Sequence, residues 1–370
     1  MYCLELAGED DPFAIREAEA AAVGVERLAP GLGLASHVDT DRLRGLAYTR
    51  AADEVVARTE ASIDVTGTRG VPVGRRESST LVDAAELALR AAQFDREGTV
   101  AVRARDVQGL TGVDTQAVER RLGGVLVENG YEVDLDTPDH ELRALFSAED
   151  GLADPDGSGT AAAERLPSDE GLCVLGWLAA ESVRDFGERR PTDRPFFQPG
   201  SMAPLDARAL ANIAGAAPER TILDPMCGTG GTLIEAGLVG AAVVGTDAQW
   251  KMVRGTKANL DALVDEDHET AVARADATAL PLGEGSIDGV VFDAPYGRQS
   301  KIATHRLADL VAGALREAYR VSTAEATCVL MADRSWRAAA SEAGWRVTDR
   351  FERRAHASLT RHVHVLEKPR

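Results

Sequence analysis

Four consecutive residues at the end of an apolar run, Asp293-Ala294-Pro295-Tyr296, place an acid, a main-chain carbonyl, a stiff turn and an aromatic ring side by side. That set suits an amino group carried on an aromatic base. The lone pair of such an amine is delocalised into the ring, so the nitrogen is a poor nucleophile. The Asp293 carboxylate and the Ala294 carbonyl can accept its two N–H bonds and help it toward sp³ geometry as an electrophile arrives. Pro295 fixes φ and removes a donor. Tyr296 can stack on a base drawn out of its helix. The plainer reading is a turn that ends a strand, because Asp, Pro and the following Gly297 all form turns. The neighbouring strand ends decide between the two.

Upstream, the run 221–223 leads into Asp224-Pro225-Met226-Cys227-Gly228-Thr229-Gly230-Gly231. Its glycines let a backbone bend sharply and approach a ligand. The stretch is neither G-x-G-x-x-G nor Gly-Lys-Ser/Thr, so a phosphate cradle is not expected. The next strand ends in Gly245-Thr246-Asp247, where a carboxylate can accept both hydroxyls of a ribose. A third ends in Ala275-Asp276-Ala277, where Asp276 can accept from the amine of an adenine. Each feature alone has an ordinary explanation, as a turn or a helix cap. Three successive strand ends, each with its acid, make coincidence a poor account. The missing phosphate grip points to a cofactor with a neutral or cationic tail. S-adenosylmethionine fits, with its sulfonium and amino groups welcomed by Asp224, and the chemistry is then direct displacement at a methyl group helped mainly by orientation.

The elements that must hold these residues follow from periodicity. From 196 onward, strands at 221–223, 242–246, 271–275, 287–292 and 327–332 alternate with helical stretches. This is the pattern of a doubly wound α/β sheet, which binds ligands beyond the carboxyl ends of its strands. Two further runs, 345–351 and 362–366, leave little room for a helix and predict an antiparallel hairpin closing the sheet. Residues 1–50 read as a small α/β unit: a strand at 2–6, a helix opened by Asp11-Pro12, and a second strand at 46–49. Residues 51–150 mix helices at 84–92 and 115–126 with strands at 99–105, 131–135 and 141–146. Residues 148–171 have no period and are expected to be a solvated or disordered insertion. A strand at 172–178 belongs with the preceding domain, and 185–195 reads as a basic linker.

At 370 residues the chain is long enough for two or three domains. No run approaches the roughly 18 apolar residues of a membrane span. The first residues lack the basic region of a signal peptide, so a cytoplasmic protein is expected. Cys3, Cys173, Cys227 and Cys328 form no C-x-x-C pair, and buried reduced thiols are expected. His356, His362 and His364 alternate without a metal-ligand pattern, so they are expected to be exposed strand residues and no metal is predicted. The net charge is −19, and only Lys251, Lys257, Lys301 and Lys368 are lysines. Charge alone argues against nucleic acid, but acid-rich, lysine-poor chains suit molar salt, where the Debye length is about 3 Å. The arginines cluster at 69, 75 and 76, at 103 and 105, at 184, 189, 190 and 194, and at 350, 353, 354 and 361. Most single positions are expected to be solvated or paired with acids. The linker and C-terminal sets are the candidates to track phosphates.

Together these stretches resemble the class I S-adenosylmethionine-dependent amino-methyltransferases, and more narrowly the archaeal tRNA guanine-N2 methyltransferases acting at position 10. Residues 224–231 match motif I and 293–298 match motif IV. Arg194-Pro195-Phe196-Phe197-Gln198-Pro199-Gly200-Ser201-Met202 is similar to the segment that precedes motif I and lies over the cofactor, and Ser358-Leu359-Thr360-Arg361-His362 resembles a further family signature. Ala294 stands where the family motif has proline. The resemblance implies a Rossmann-like methyltransferase domain over 196–370, preceded by an α+β region: a ferredoxin-like segment over 1–50 and a THUMP RNA-binding domain over 51–184. It implies Asp293, Ala294, Pro295 and Tyr296 as catalytic residues. It implies Phe197, Pro199, Ser201, Asp224, Cys227, Gly228, Gly230, Asp247, Asp276 and Ala277 as the cofactor site. It implies tRNA as partner, with a monomer as the working expectation. Two alternatives stand beside it: the same chemistry on DNA, ribosomal RNA or a protein glutamine, and an RNA-binding protein that keeps the fold without turnover.

Overall fold

A computed structural model describes residues 1–8, 10–62, 80–148, 170–265, 267–295, 304–356 and 359–369. Tyr296, the arginines at 69, 75 and 76, and the interior of the expected 148–171 insertion lie outside these residues. The chain divides into two units, Met1–Arg44 with Tyr48–Ser182 and Gly45–Ala47 with Val183–Arg370.

The first unit is built on strands β1 (Tyr2–Leu6), β2 (Ala22–Val23), β3 (Glu26–Ala29), β4 (Leu32–Ala35), β5 (His37–Val38), β6 (Thr49–Ser62), β7 (Thr99–Asp106), β8 (Glu132–Val133), β9 (His140–Ala148) and β10 (Glu170–Glu181). Its helices are α1 (Asp11–Ala18), α2 (Thr40–Leu43), α3 (Leu81–Ala91) and α4 (Thr115–Glu128). Eight strands form one sheet in the order β3-β4-β1-β6-β10-β9-β7-β8. A capping box between Thr80 and Asp83 starts α3, and the Asp114 side chain accepts from the Ala117 N–H to start α4. Leu81, Ala85 and Leu89 of α3 and Leu122, Val125 and Leu126 of α4 bury their apolar stripes against Val100, Leu142, Phe146 and Cys173 of the sheet.

Several expectations for this half are corrected. A boundary near 50 falls inside β6, whose ladder with β1 satisfies the backbone of both strands, so 1–50 is not a separate compact unit. Of the expected strand at 46–49 only Thr49 is extended, and 45–47 belong to the second unit. The expected insertion begins later and ends earlier, because Ala148 and Gly171 pair with each other as β9 meets β10.

The second unit carries β11 (Thr221–Asp224), β12 (Ala242–Asp247), β13 (Thr270–Arg274), β14 (Ile287–Asp293), β15 (Ser322–Ala332), β16 (Arg346–His356) and β17 (Leu359–Glu367). Between them lie α5 (Pro204–Ile213), α6 (Gly231–Gly237), α7 (Trp250–Leu263), α8 (Thr304–Val321) and α9 (Arg337–Glu342). The sheet order is β13-β12-β11-β14-β15-β17-β16. β11 to β15 are parallel, and β17 runs antiparallel between β15 and β16. Phe292, Val290, Cys328 and Leu330 of the sheet pack with Val311, Leu315 and Ala318 of α8. The strand order reverses between β11 and β14, which sets the crevice at their carboxyl ends.

The expected linker is part of this unit. Arg189 and Arg194 are buried, and Arg189 forms a two-pronged ion pair with the buried Glu235 of α6 at 2.7 and 3.0 Å. A basic segment with a buried acid to meet folds in rather than staying in solvent. Among the described residues, no helix is long and apolar enough to cross a membrane.

Candidate active site

A cleft of about 710 Å³ opens where β11, β12 and β14 end. Its wall holds Asp224, Cys227, Gly228, Asp247, Asp276, Ala277, Asp293, Ala294 and Pro295, together with Pro199 and Ser201. Eleven of the fourteen residues singled out from the sequence therefore meet in one place. The other three do not line it. Tyr296 lies outside the described residues. Gly230 sits behind the wall as the N-cap of α6, with φ of 80° and Thr256 so close that a side chain would meet its methyl at 2.7 Å. Phe197 is turned outward and 40% exposed. The reason lies in Phe196: its N–H and C=O are both held by Asn259, at 2.8 Å each, and its ring fills the space over Gly255.

The turn after β11 is tied together by its own acids. Asp224, almost wholly buried, accepts from Thr232 Oγ1 at 2.5 Å and from the Met226 N–H at 3.0 Å. Burial pushes its carboxyl up to about 7, although both hydrogen bonds favour the charged form. Asp247 accepts from the Gly228 and Gln249 N–H groups, at 3.2 and 2.8 Å. It is half-buried, and desolvation raises its carboxyl as well. Asp276 is exposed and uses Oδ1 to accept from the N–H and hydroxyl of Thr278. The Ser201 and Thr229 hydroxyls meet at 3.0 Å and join the 198–202 segment to the glycine turn. Cys227 packs its thiol under the turn, 3.6 Å from Thr256 Oγ1, and burial raises it.

Asp293 closes the far end of β14. Its Oδ2 lies 3.2 Å from Nη1 of Arg361 on β17. Its Oδ1 is buried with no hydrogen-bond partner among the described residues. Desolvation pushes this carboxyl up to about 7; Arg361 pulls it back and Asp333 pushes with the burial. Ala294, next in line, is buried, and its N–H donates to the Met331 carbonyl at 2.8 Å. A proline at this position has no such N–H.

Sequence reasoning missed Arg361 as a neighbour of Asp293 and counted it among the phosphate-tracking arginines. Of that C-terminal set, Arg353 is also paired, with Asp206 at 3.1 Å. Nor are the alternating histidines all exposed: His364 is fully buried, where its Nε2 accepts from the Trp336 N–H, and burial lowers it. No local sequence signal distinguishes these partners, because each lies far along the chain, on another strand for Asp293, in α5 for Asp206 and at the start of α9 for Trp336.

The cleft's chemistry fits S-adenosylmethionine. Four carboxylates line it, and no Lys, Arg or His does among the described residues. That balance suits a sulfonium and an ammonium and offers nothing to a phosphate chain. Comparison with known proteins agrees. The family UPF0020, described as RMKL-like, methyltransferase domain, matches residues 191–362. The tRNA (guanine(10)-N2)-dimethyltransferase of Methanothermobacter thermautotrophicus is 35% identical over 80% of this chain and 80% of its own length. The enzyme of the same name from Pyrococcus abyssi is 30% identical over 73% of this chain and 74% of its own. Among solved structures, TrmN from Thermus thermophilus is similar over 99% of both chains, with a TM-score of 0.47 and 22% identity. The second unit is thus a class I, S-adenosylmethionine-dependent methyltransferase domain, and the chain belongs to the tRNA (guanine(10)-N2)-dimethyltransferase family.

Proposed function

We propose that this enzyme methylates the exocyclic N2 amine of a guanosine in tRNA, at position 10. The observation that carries the reading is the Asp293 Oδ1 atom, a buried acceptor with no described hydrogen-bond partner on a residue that lines the cleft. Bound in the cleft, S-adenosylmethionine supplies an electrophilic methyl group. Asp247 accepts the ribose hydroxyls, and Asp276 and Ala277 face the adenine. Asp224 and Cys227 keep the glycine turn in shape, and the 197–201 segment with Phe197, Pro199 and Ser201 covers the cofactor. Asp293 and the Ala294 carbonyl accept the two N–H bonds of the amine, and Pro295 stiffens their turn. A carboxyl titrating near 7 can also hold the proton that the nitrogen loses. Tyr296 stacks on the extruded base.

The first unit, in this reading, is an RNA-binding module of the THUMP type, and the acid-rich surface belongs to a salt-adapted cytoplasm in which the enzyme works as a monomer. Phosphates near the cleft fall to α7. There Lys251 and Arg254 are exposed and carry no ion pair among the described residues, and both follow the 56% exposed Trp250 within the first turn and a half of the helix. Reversing both charges is expected to raise KM for tRNA and flatten its salt dependence while cofactor affinity holds; an unchanged KM removes α7 from the RNA path.

The deciding experiment is transfer of labelled methyl from S-adenosylmethionine to tRNA, read by mass spectrometry of the nucleosides. N2-methyl- or N2,N2-dimethylguanosine at position 10 is the expected product. Label in another nucleoside, in DNA or in no nucleic acid at all defeats the proposal.

A further inference from the structure

We propose that Arg361 is a positioning residue for methyl transfer, reaching from β17 past β15 to hold one oxygen of Asp293 so that the other is presented to the amine. This rests on the reading of Asp293 as the amine's acceptor.

The sheet register makes the reach possible. Asp293 lies opposite Met331 on β15, and Met331 lies opposite Val363 on β17. Arg361 is two residues from Val363 and so shares its face of the sheet. Its Nη1 passes 3.8 Å from Met331 Sδ and ends 3.2 Å from Asp293 Oδ2. The two side chains are only 13% and 23% exposed, so water competes little with the pair. A carboxylate drawn to a guanidinium through one oxygen is restrained from swinging, and its second oxygen is turned away from the cation. Asp293 Oδ1 is that second oxygen, buried and without a described partner.

The same contact sets the charge. Asp293 Oδ1 accepts with full strength only while the carboxyl is ionised, since a proton placed on it would turn it into a donor. Burial opposes the ionisation of Asp293, and so does Asp333 beyond the end of β15. Asp333 is itself paired with Arg334 at 2.9 Å and faces His362. Arg361 is the cation that pairs with Asp293 among the described residues. Without it, burial and the like charge of Asp333 act on Asp293 unopposed.

The test is the pH dependence of single-turnover methyl transfer to tRNA by the full chain, with cofactor affinity measured in parallel. Arg361→Gln is expected to move the acid limb of the profile upward by about one unit or more. The loss at pH 7 should be about fivefold or greater and recover at higher pH, with S-adenosylmethionine affinity within about twofold of wild type. Arg361→Lys, which keeps a charge but not the reach of the guanidinium, should return the limb toward its original position while leaving kcat below that of wild type. A uniform loss with the limb unmoved, or an unchanged profile, overturns the proposal. If Arg361→Gln proves unfolded by circular dichroism, Arg361→Lys decides alone. A fall in kcat with KM for tRNA unchanged supports the role through Asp293, whereas full activity, or a rise in KM with kcat unchanged, overturns it. Failure of wild-type enzyme to methylate tRNA, or full activity of Asp293→Ala, would instead defeat the underlying reading of the site.

Discussion

Each unit of this protein contains an arginine that reaches across one strand to an aspartate, and the two pairs are built for different ends. In the first unit Arg143 of β9 crosses β10 to Asp53 of β6 and continues to Glu5 of β1. The crossing is opened by Gly176, where a side chain would come within 2.8 Å of the Asp53 Cβ. Both Asp53 oxygens lie 3.4 Å from Arg143 Nη1, and the three side chains are exposed by 4% or less. Arg105 adds a second cation to Glu5 at 3.2 Å. In the second unit Arg361 makes the same crossing but meets one oxygen only, and the other is left without a described partner on a residue that lines a cleft. Burial pushes both aspartates up to about 7. A displaced titration therefore does not separate a structural carboxylate from a working one. The unused acceptor beside a cavity does.

The comparison breaks if the two pairs respond alike to substitution. Asp293→Asn and Asp293→Ala are expected to cost about 10²–10⁴-fold in transfer, the usual worth of a positioned proton acceptor, with cofactor affinity little changed. Stability should move the other way. The folded carboxyl of Asp293 titrates near 7, above its unfolded value near 4, so its contribution is full below about pH 4 and is lost as pH rises through 7. Asp293→Asn abolishes that loss. Relative to wild type the cofactor-free variant should gain stability between pH 4 and 8, by roughly 1–3 kcal/mol after allowing for the widowed Arg361. Urea unfolding at the two pH values measures it, and a variant that falls further behind wild type as pH rises contradicts the assignment. Arg143→Leu should do the reverse. It leaves Asp53 buried without its guanidinium and Glu5 with Arg105 and Arg50 alone, and is expected to cost about 3–5 kcal/mol, while the folded fraction retains its turnover rate. A large loss of kcat in folded Arg143→Leu would give that pair a functional role.

What the sequence revealed, and what it hid, follows the same division. The strand-end acids and glycine turn were legible because the doubly wound fold places every carboxyl end at one crevice, so one-dimensional spacing becomes three-dimensional proximity. The closing hairpin of β16 and β17 was legible from the lack of room for a helix. Arg361 was not, since its neighbour Asp293 is two strands away and the order β14-β15-β17 has no local signature. The paired Arg189 was misread for the same reason: its partner Glu235 lies inside α6, and a basic run looks alike whether it meets solvent or a buried acid. That Phe197 stands outside the cleft wall was hidden because Asn259, far along the chain, is what holds Phe196 inward and leaves its neighbour exposed. The short strands β2 to β5 span two to four residues each, too few for alternation to register.

The smallest expected effect bears on how tightly the Asp293 turn is held. Ala294 departs from the family motif, and its N–H carries the β14–β15 ladder one residue further through the bond to Met331, the residue Arg361 passes on its way to Asp293. Ala294→Pro removes that donor and leaves the Met331 carbonyl to find another, at a cost of about 1 kcal/mol. It also narrows φ at the turn, which recovers part of the loss through the unfolded chain. The net change in stability should therefore be near zero to about 1 kcal/mol destabilising. Transfer should stay within a few-fold of wild type, because the acceptor carbonyl survives the change. If instead the variant loses as much activity as Asp293→Asn while remaining folded, the ladder bond to Met331 is what sets the carboxylate's direction, and the hold attributed to Arg361 would have to be shared with it.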